Sequence, residues 1–167
     1  MNYHQLKAVC ISRLNSQIKD KILSAQQQIN FTEESKTSAT KGSAGDKHET
    51  GRAMMERELA LSKAQLNKAE FLKNELSKIS LDHKCNKVEL GALIITSGAM
   101  YFMSIGVGKV SLNIDSDLSQ DSGFFYAISG GSPIGKVLQN ATKGDLLKFQ
   151  GREIEILHVE SSSKSMQ

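Results

Sequence analysis

Two carboxylates stand three residues apart in the segment Gly45-Asp46-Lys47-His48-Glu49. Carboxylate oxygens are the hard ligands that magnesium prefers, and one or two of them usually hold the ion in a protein. The spacing of Asp46 and Glu49 is also that of a capping box, in which an acid at a helix start accepts from a free backbone N–H and a Glu three residues later reaches back. On spacing alone, both a cation-ligand pair and a helix cap stay open.

Three further polar residues surround these carboxylates: His48 lies between them, and Arg52 and Arg57 follow. A histidine can hydrogen-bond a phosphate or a water, and the arginine fork matches carboxylate and phosphate groups. All three are candidate partner-binding residues. The alternative for each is a solvated side chain on a helix surface.

Two long amphipathic helices must position these residues. Apolar residues recur at steps of three and four in a first stripe, and a second stripe of the same kind follows later in the chain. Two such helices can pack their apolar stripes against each other, which predicts an antiparallel helical hairpin of the coiled-coil type over residues 1–80. In this arrangement the protein is expected to be a monomer. They equally fit two helices of a four-helix bundle formed by dimerisation. The first stripe comprises Leu6, Cys10, Leu14, Ile18, Ile22, Ala25 and Ile29, and the second comprises Met55, Leu59, Leu66, Ala69, Leu72, Leu76 and Ile79.

Between the stripes, the segment from Phe31 to Gly45 is rich in Ser, Thr, Lys and Gly and has no apolar period. This composition predicts a loop, which places the tip of the hairpin near residues 31–48.

After Ser80 the pattern changes to short runs typical of strands, at residues 88–96, 99–106, 123–129, 146–149 and 153–159. Glycine-containing turns separate these runs, so a compact, mostly antiparallel β domain is predicted over residues 84–160. The fold class is therefore α+β. The acidic segment 113–122 is predicted to be a mobile loop, and residues 161–167 a flexible tail.

Composition argues against several classes of protein. A net charge of +3 is too mild to imply nucleic-acid binding by itself. Cys10 and Cys85 form no CxxC pair, which argues against a zinc site and a disulfide framework, and Cys10 is expected to be a small apolar residue on a helix face. No stretch approaches the roughly 20 apolar residues that cross a bilayer, so no membrane association and a cytoplasmic location are expected.

Several segments together resemble the Gre family of bacterial transcript cleavage factors. Ser132-Pro133-Ile134-Gly135-Lys136-Val137-Leu138, followed by Lys143-Gly144-Asp145-Leu146 and a final strand, is similar to the C-terminal domain of that family. The run from Val88 to Ile94 is similar to the first strand of that domain, and the segment from Gly45 to Glu49 is similar to the family's acidic tip motif. The resemblance covers nearly the whole chain.

The resemblance implies an FKBP-like β domain with one short helix that docks at the rim of the secondary channel of bacterial RNA polymerase. The hairpin would reach down this channel, and Asp46 and Glu49 would be catalytic residues donated to the polymerase active site as ligands of a shared Mg²⁺. The RNA 3′ end would be contacted only in that complex, with His48, Arg52 and Arg57 as partner-binding residues. The protein would bind no cofactor tightly and would be no enzyme itself, but an activator of the polymerase's own cleavage of backtracked RNA.

Two alternatives stay beside this expectation. Thr50 and Ala53 stand where the family usually has Asn and Tyr, and this favours a channel-binding transcription regulator without cleavage activity. A second alternative is an FKBP-like binding or prolyl isomerase module with a helical dimerisation arm. Aromatic residues make up only 5% of the chain and Trp is absent, so an aromatic-lined pocket is not expected.

Overall fold

The computed structural model describes residues 2–39, 45–112 and 123–160. Within these ranges the chain forms two N-terminal helices, then six strands with one short helix between the fourth and fifth, so the predicted α+β class is confirmed. The predicted mobile loop at 113–122 and the predicted tail at 161–167 lie outside the described residues. The chain groups into two compact units: Met1–Asn15 with Glu75–Gln167 (the sheet unit), and Ser16–Asn74 (the helical unit).

The two long helices are α1, Tyr3–Ala39, and α2, Gly45–Ser77. The prediction of a loop from Phe31 is wrong, because α1 continues as helix to Ala39. The cause is that polar residues extend the stripe after Ile29 with the same steps of three and four: Thr32 is only 2% exposed, and Lys36 follows four residues later. None of the helices in the described ranges is both long and apolar enough to cross a membrane.

Within the helical unit, α1 and α2 run antiparallel. Lys36, near the end of α1, forms an ion pair with Glu56, in the first half of α2, and Ala25 and Ala69 line one shared groove. Ser62 is buried and fills the position between Leu59 and Leu66 that the predicted apolar stripe lacks. Small and polar residues therefore make up much of this seam: Ala25, Thr32, Ser62 and Ala69 are all buried.

The sheet unit contains one six-stranded sheet in the order β3-β4-β2-β1-β6-β5. Neighbouring strands are antiparallel except β2 and β4, which pair in parallel. The prediction of a mostly antiparallel sheet is thus confirmed. The strands are β1 Leu93–Thr96, β2 Met100–Met103, β3 Gly108–Ser111, β4 Phe124–Ile128, β5 Leu146–Phe149 and β6 Arg152–Val159.

Two strand predictions need correction. No strand was predicted at β3, but Val110 is buried there and pairs with Phe125 of β4. β1 begins at Leu93 and not at Val88, because residues 88–92 form a bend and a turn. There the N–H of Val88 donates to the carbonyl of Ala141, and Gly91 adopts a φ of 91°, a backbone conformation that favours glycine.

The core of the sheet unit combines residues from the strands, the short helix and the segment that precedes β1. The helix, α3, spans Pro133–Leu138. At the start of α1, the ring of Tyr3 stacks on His158 of β6 with centroids 4.2 Å apart. The buried core cluster contains Cys85, Val88, Ala92, Ile94, Met103, Ile128, Leu138, Ala141, Ile156 and Val159.

Candidate functional site

The candidate carboxylates belong to the start of α2. The helix begins at Gly45, so Asp46 lies within the first turn, and Glu49 follows three residues later with an exposed side chain. Positions three apart share one face of a helix, so the backbone places Asp46 and Glu49 on the same side of α2. The side chains of Asp46 and His48 lie outside the described residues.

Acidic residues at this position suit the physics of a helix N-terminus. The first turn has backbone N–H groups without partners in the helix and the positive end of the helix dipole, and both favour negative charge. Helix capping and cation binding thus use the same carboxylates, and the two interpretations from the sequence both stay predictions.

Arg52 contacts a residue of its own chain. Its Nε lies 3.4 Å from Oε1 of Glu56, and Nζ of Lys36 lies 3.2 Å from the same oxygen. Lys36 above all, and Arg52 in addition, lower the pKa of the Glu56 carboxyl. Arg57 is exposed on the same helix. The structure thus brings Arg52 into an ion-pair cluster that links α1 and α2, which sequence reasoning missed.

The residues at which the chain departs from the family pattern, Thr50 and Ala53, are both exposed within the first three turns of α2. Neither is part of the buried seam between the two helices.

The C-terminal motif has a structural role. Ser132 caps α3, with its Oγ accepting from the N–H of Gly135 at 3.1 Å and Pro133 opening the helix. A Cβ on Gly135 would lie 2.0 Å from the carbonyl oxygen of Ser129, so glycine is required there. Asp145 closes the following turn, since its Oδ2 accepts from the N–H of Thr142 at 2.7 Å.

An open cleft of about 670 Å³ lies on the sheet unit. Three aromatic residues line it, Tyr101, Tyr126 and Phe149, together with Ile134 and Arg152. The rings of Tyr101 and Tyr126 stack with centroids 5.6 Å apart. The expectation that so few aromatic residues could not line a pocket is therefore wrong. Three strands that are well separated in sequence, β2, β4 and β5, supply one aromatic residue each.

A cluster of ionisable residues in the sheet unit was also missed. Lys7 is fully buried, and its Nζ has no hydrogen-bond partner among the described residues. Burial lowers the pKa of Lys7, while negative charge at Cys85, Glu160 and Asp82 opposes this shift. Lys7 directly follows the stripe residue Leu6, so the helical pattern alone predicts a solvated lysine at the edge of the apolar face.

The two cysteines are free thiols and both are buried. Burial raises the pKa of Cys10 to about 12, in agreement with the predicted apolar role on a helix face. Burial also raises the pKa of Cys85, and the positive charge of Lys7 opposes this change. Cys85 differs from Cys10 in its polar surroundings, because His83 and Glu89 lie beside it.

No protein-family model matches the chain, and a search of curated proteins gives no match. The resemblance to the Gre family therefore depends on the motif residues themselves, at the tip of α2 and around α3.

Proposed function

We propose that this chain is a cytoplasmic elongation factor that binds bacterial RNA polymerase and stimulates cleavage of backtracked transcripts. The observation that supports the proposal is the position of Asp46 and Glu49, on one face within the first two turns of a 33-residue helix. A helix of that length measures roughly 50 Å, enough to carry its first turn far along a narrow channel.

The register of the helical unit supports a tip position for these carboxylates. Lys36 and Glu56, which form the ion pair between α1 and α2, lie ten residues before and ten residues after Asp46. In an antiparallel pair, the residue midway between two paired positions belongs at the reversal of the chain. Asp46 is thus near the end of the hairpin.

Asp46 and Glu49 fit a shared magnesium ion better than a site of their own. Magnesium keeps several waters and is usually bound by one or two carboxylates together with oxygens from the substrate. In a two-metal reaction, a second ion stabilises the attacking and leaving oxygens of the phosphodiester. The role of this chain would be to hold Asp46 and Glu49 at the polymerase active site, and the sheet unit, proposed to be FKBP-like, would dock at the channel rim.

The test is RNA cleavage in a stalled, backtracked complex of bacterial RNA polymerase in magnesium. The double variant Asp46→Asn/Glu49→Gln removes both charges and is expected to abolish the stimulation. The matched control is Asp20→Asn/Glu70→Gln, which removes the same charges from exposed positions elsewhere on α1 and α2 and is expected to cleave like the wild type.

The outcomes separate the candidate functions. If Asp46→Asn/Glu49→Gln loses the stimulation of cleavage and the control variant keeps it, Asp46 and Glu49 act as the donated metal ligands. Binding to the polymerase without cleavage by the wild type would favour the channel-binding regulator. In that case Thr50→Asn/Ala53→Tyr, which introduces the residues usual in the family at two exposed positions, tests whether these departures are the cause. Absence of binding would refute the proposal.

The aromatic cleft favours one other function, a peptide-binding or prolyl isomerase module of the FKBP type. Aromatic side chains in a concave site suit an apolar or proline-containing ligand. This function predicts isomerase activity on a short proline peptide, reduced by Tyr126→Ala, whereas the elongation factor predicts none.

A further inference from the structure

We propose a metal site for Zn²⁺ or a similar divalent ion, formed by the ring nitrogen of His83, the thiolate of Cys85 and the carboxylate of Glu89. One ligand atom from each residue can be chosen so that all three lie within 4.8 Å of one another. The site is independent of the proposed action on RNA polymerase, since its three residues belong to the segment that precedes β1.

The distance between the ligand atoms of His83 and Glu89 is close to that of a tetrahedral site. With bonds of about 2.1 Å to nitrogen and oxygen and about 2.3 Å to sulfur, ligand atoms in such a site lie roughly 3.4 to 3.6 Å apart. Nε2 of His83 lies 3.2 Å from Oε1 of Glu89. The Cys85 sulfur lies within 4.8 Å of both atoms, so binding would require side-chain movements that draw the three ligand atoms together.

The backbone holds this segment in place. The N–H of Val88 donates to the carbonyl of Ala141, and the N–H of Asn140 donates to the carbonyl of Val88. Cys85 and Val88 are both fully buried in the core cluster of the sheet unit. The sulfur ligand therefore has a fixed position, which lowers the entropy cost of binding.

The side chains of His83 and Glu89 are 52% and 37% exposed. A metal ion can therefore enter from solvent, and with three protein ligands one coordination position would be left for water or another ligand. Histidine, thiolate and carboxylate together suit zinc and cobalt better than magnesium, because thiolate is a soft ligand.

Lys7 gives a second, independent indication. Its fully buried Nζ has no hydrogen-bond partner among the described residues, and Cys85 lies near enough to interact with it electrostatically. A buried amine of this kind needs an acceptor. Metal binding displaces the thiol proton to solvent and turns the Cys85 sulfur into a thiolate, which can accept a hydrogen bond from Lys7.

The sequence argument against zinc depended on the missing CxxC pair. One cysteine together with a histidine and a glutamate, in the spacing His-x-Cys-x-x-x-Glu, satisfies the ligand chemistry without a second cysteine. The combination is recognisable only after the fold has turned Glu89 back toward His83.

The test is titration of the metal-free full chain with Co²⁺, followed by absorption spectroscopy. A thiolate ligand gives an intense charge-transfer band in the near ultraviolet, and we expect this band to saturate at one ion per chain. Cys85→Ser is expected to lose the band, while His83→Gln, at an exposed position, and Glu89→Gln, at a partly exposed one, are expected to weaken binding about 10-fold or more. Cys10→Ala is the matched control that removes the other thiol and keeps the band.

Circular dichroism of each variant shows whether it folds, and His83→Gln and Glu89→Gln keep the test decisive even where the Cys85 variant does not fold. Competition of Zn²⁺ for bound Co²⁺ in the wild type is the expected further result. The proposal would be overturned by any of three results. The wild-type chain could lack the charge-transfer band, the band could persist in folded Cys85→Ser, or the affinity could be unchanged in both His83→Gln and Glu89→Gln.

Discussion

Replacement of the buried lysine by methionine, Lys7→Met, is expected to stabilise the metal-free protein. The amine is fully buried without a hydrogen-bond partner among the described residues, and such a group costs roughly 1–3 kcal/mol. Methionine has a similar length and fills irregular space well, so little packing is lost. The buried carboxylate of Glu160 keeps a partner, because its Oε2 lies 3.0 Å from Nε2 of His158.

The stability gained by Lys7→Met should decrease as the pH rises. The pKa of Lys7 in the folded protein lies below its ordinary value of 10.5, so between these two pKa values the unfolded chain binds more protons and wild-type stability rises with pH. At pH values below the pKa of Lys7 in the folded protein, the amine is charged in both the folded and the unfolded state. The full cost of burying this charge then lowers the stability of the wild type. The advantage of methionine is therefore greatest below the pKa of Lys7 in the folded protein and shrinks as the pH rises from there toward 10.5.

Thermal unfolding of the metal-free wild type and variant, monitored by circular dichroism at several pH values, checks both statements. For a chain of this size, each 1 kcal/mol raises Tm by about 2–4 °C. Lys19→Met, at an exposed position of α1, is the control and should change stability by less than about 0.5 kcal/mol. A lower Tm for Lys7→Met at neutral pH, or a gain that grows with pH, would refute the reasoning.

Three further predictions concern the turns, the helices and the thiols. Gly135→Ala should destabilise the protein by roughly 1–3 kcal/mol or more in urea unfolding, because its Cβ would clash with the Ser129 carbonyl. Gly51→Ala is the comparison: the Cβ position of Gly51 in α2 has open space around it, so this variant should stabilise the protein by up to about 1 kcal/mol. Ser132→Ala should cost about 1 kcal/mol through loss of the α3 cap, whereas Ser132→Thr, whose hydroxyl can still accept from Gly135 and donate to the Ser129 carbonyl, should recover most of it. The Cys10 thiol, with a pKa of about 12, should resist alkylation in the native protein at neutral pH and react only after unfolding, as mass spectrometry of the modified chain can show; rapid native labelling of Cys10 would contradict its burial.

The helices and most strands were predictable because their apolar residues repeat with the period of the element. Leu14, Ile18 and Leu76 are buried as their stripes indicate. The end of α1 was missed because Thr32 occupies a seam position with a polar side chain, so the pattern lost its apolar signal while the helix continued. β3 was missed since one buried residue, Val110, is too little for an alternation to be recognised.

Some features of the candidate sites were likewise predictable from the local sequence, and others were not. Asp46 and Glu49 are three apart on one helix, so the sequence alone determines that they share a face. The ion pair of Lys36 with Glu56, the three-aromatic cleft and the burial of Lys7 depend on contacts between distant segments. No local period encodes those contacts, and only the assembled fold reveals them.

The place of β6 in the sheet has a consequence for how the protein forms during synthesis. β6 follows all the other described strands in the chain, yet it lies between β1 and β5, and His158 stacks on Tyr3. The ribosome must therefore release residues up to 159 before β1 gains its second neighbour. Pairings so distant in sequence form slowly. The nascent sheet therefore retains an unpaired edge at β1, and Tyr3 in the first turn of α1 gains its contact with His158 only after residue 158 has been synthesised.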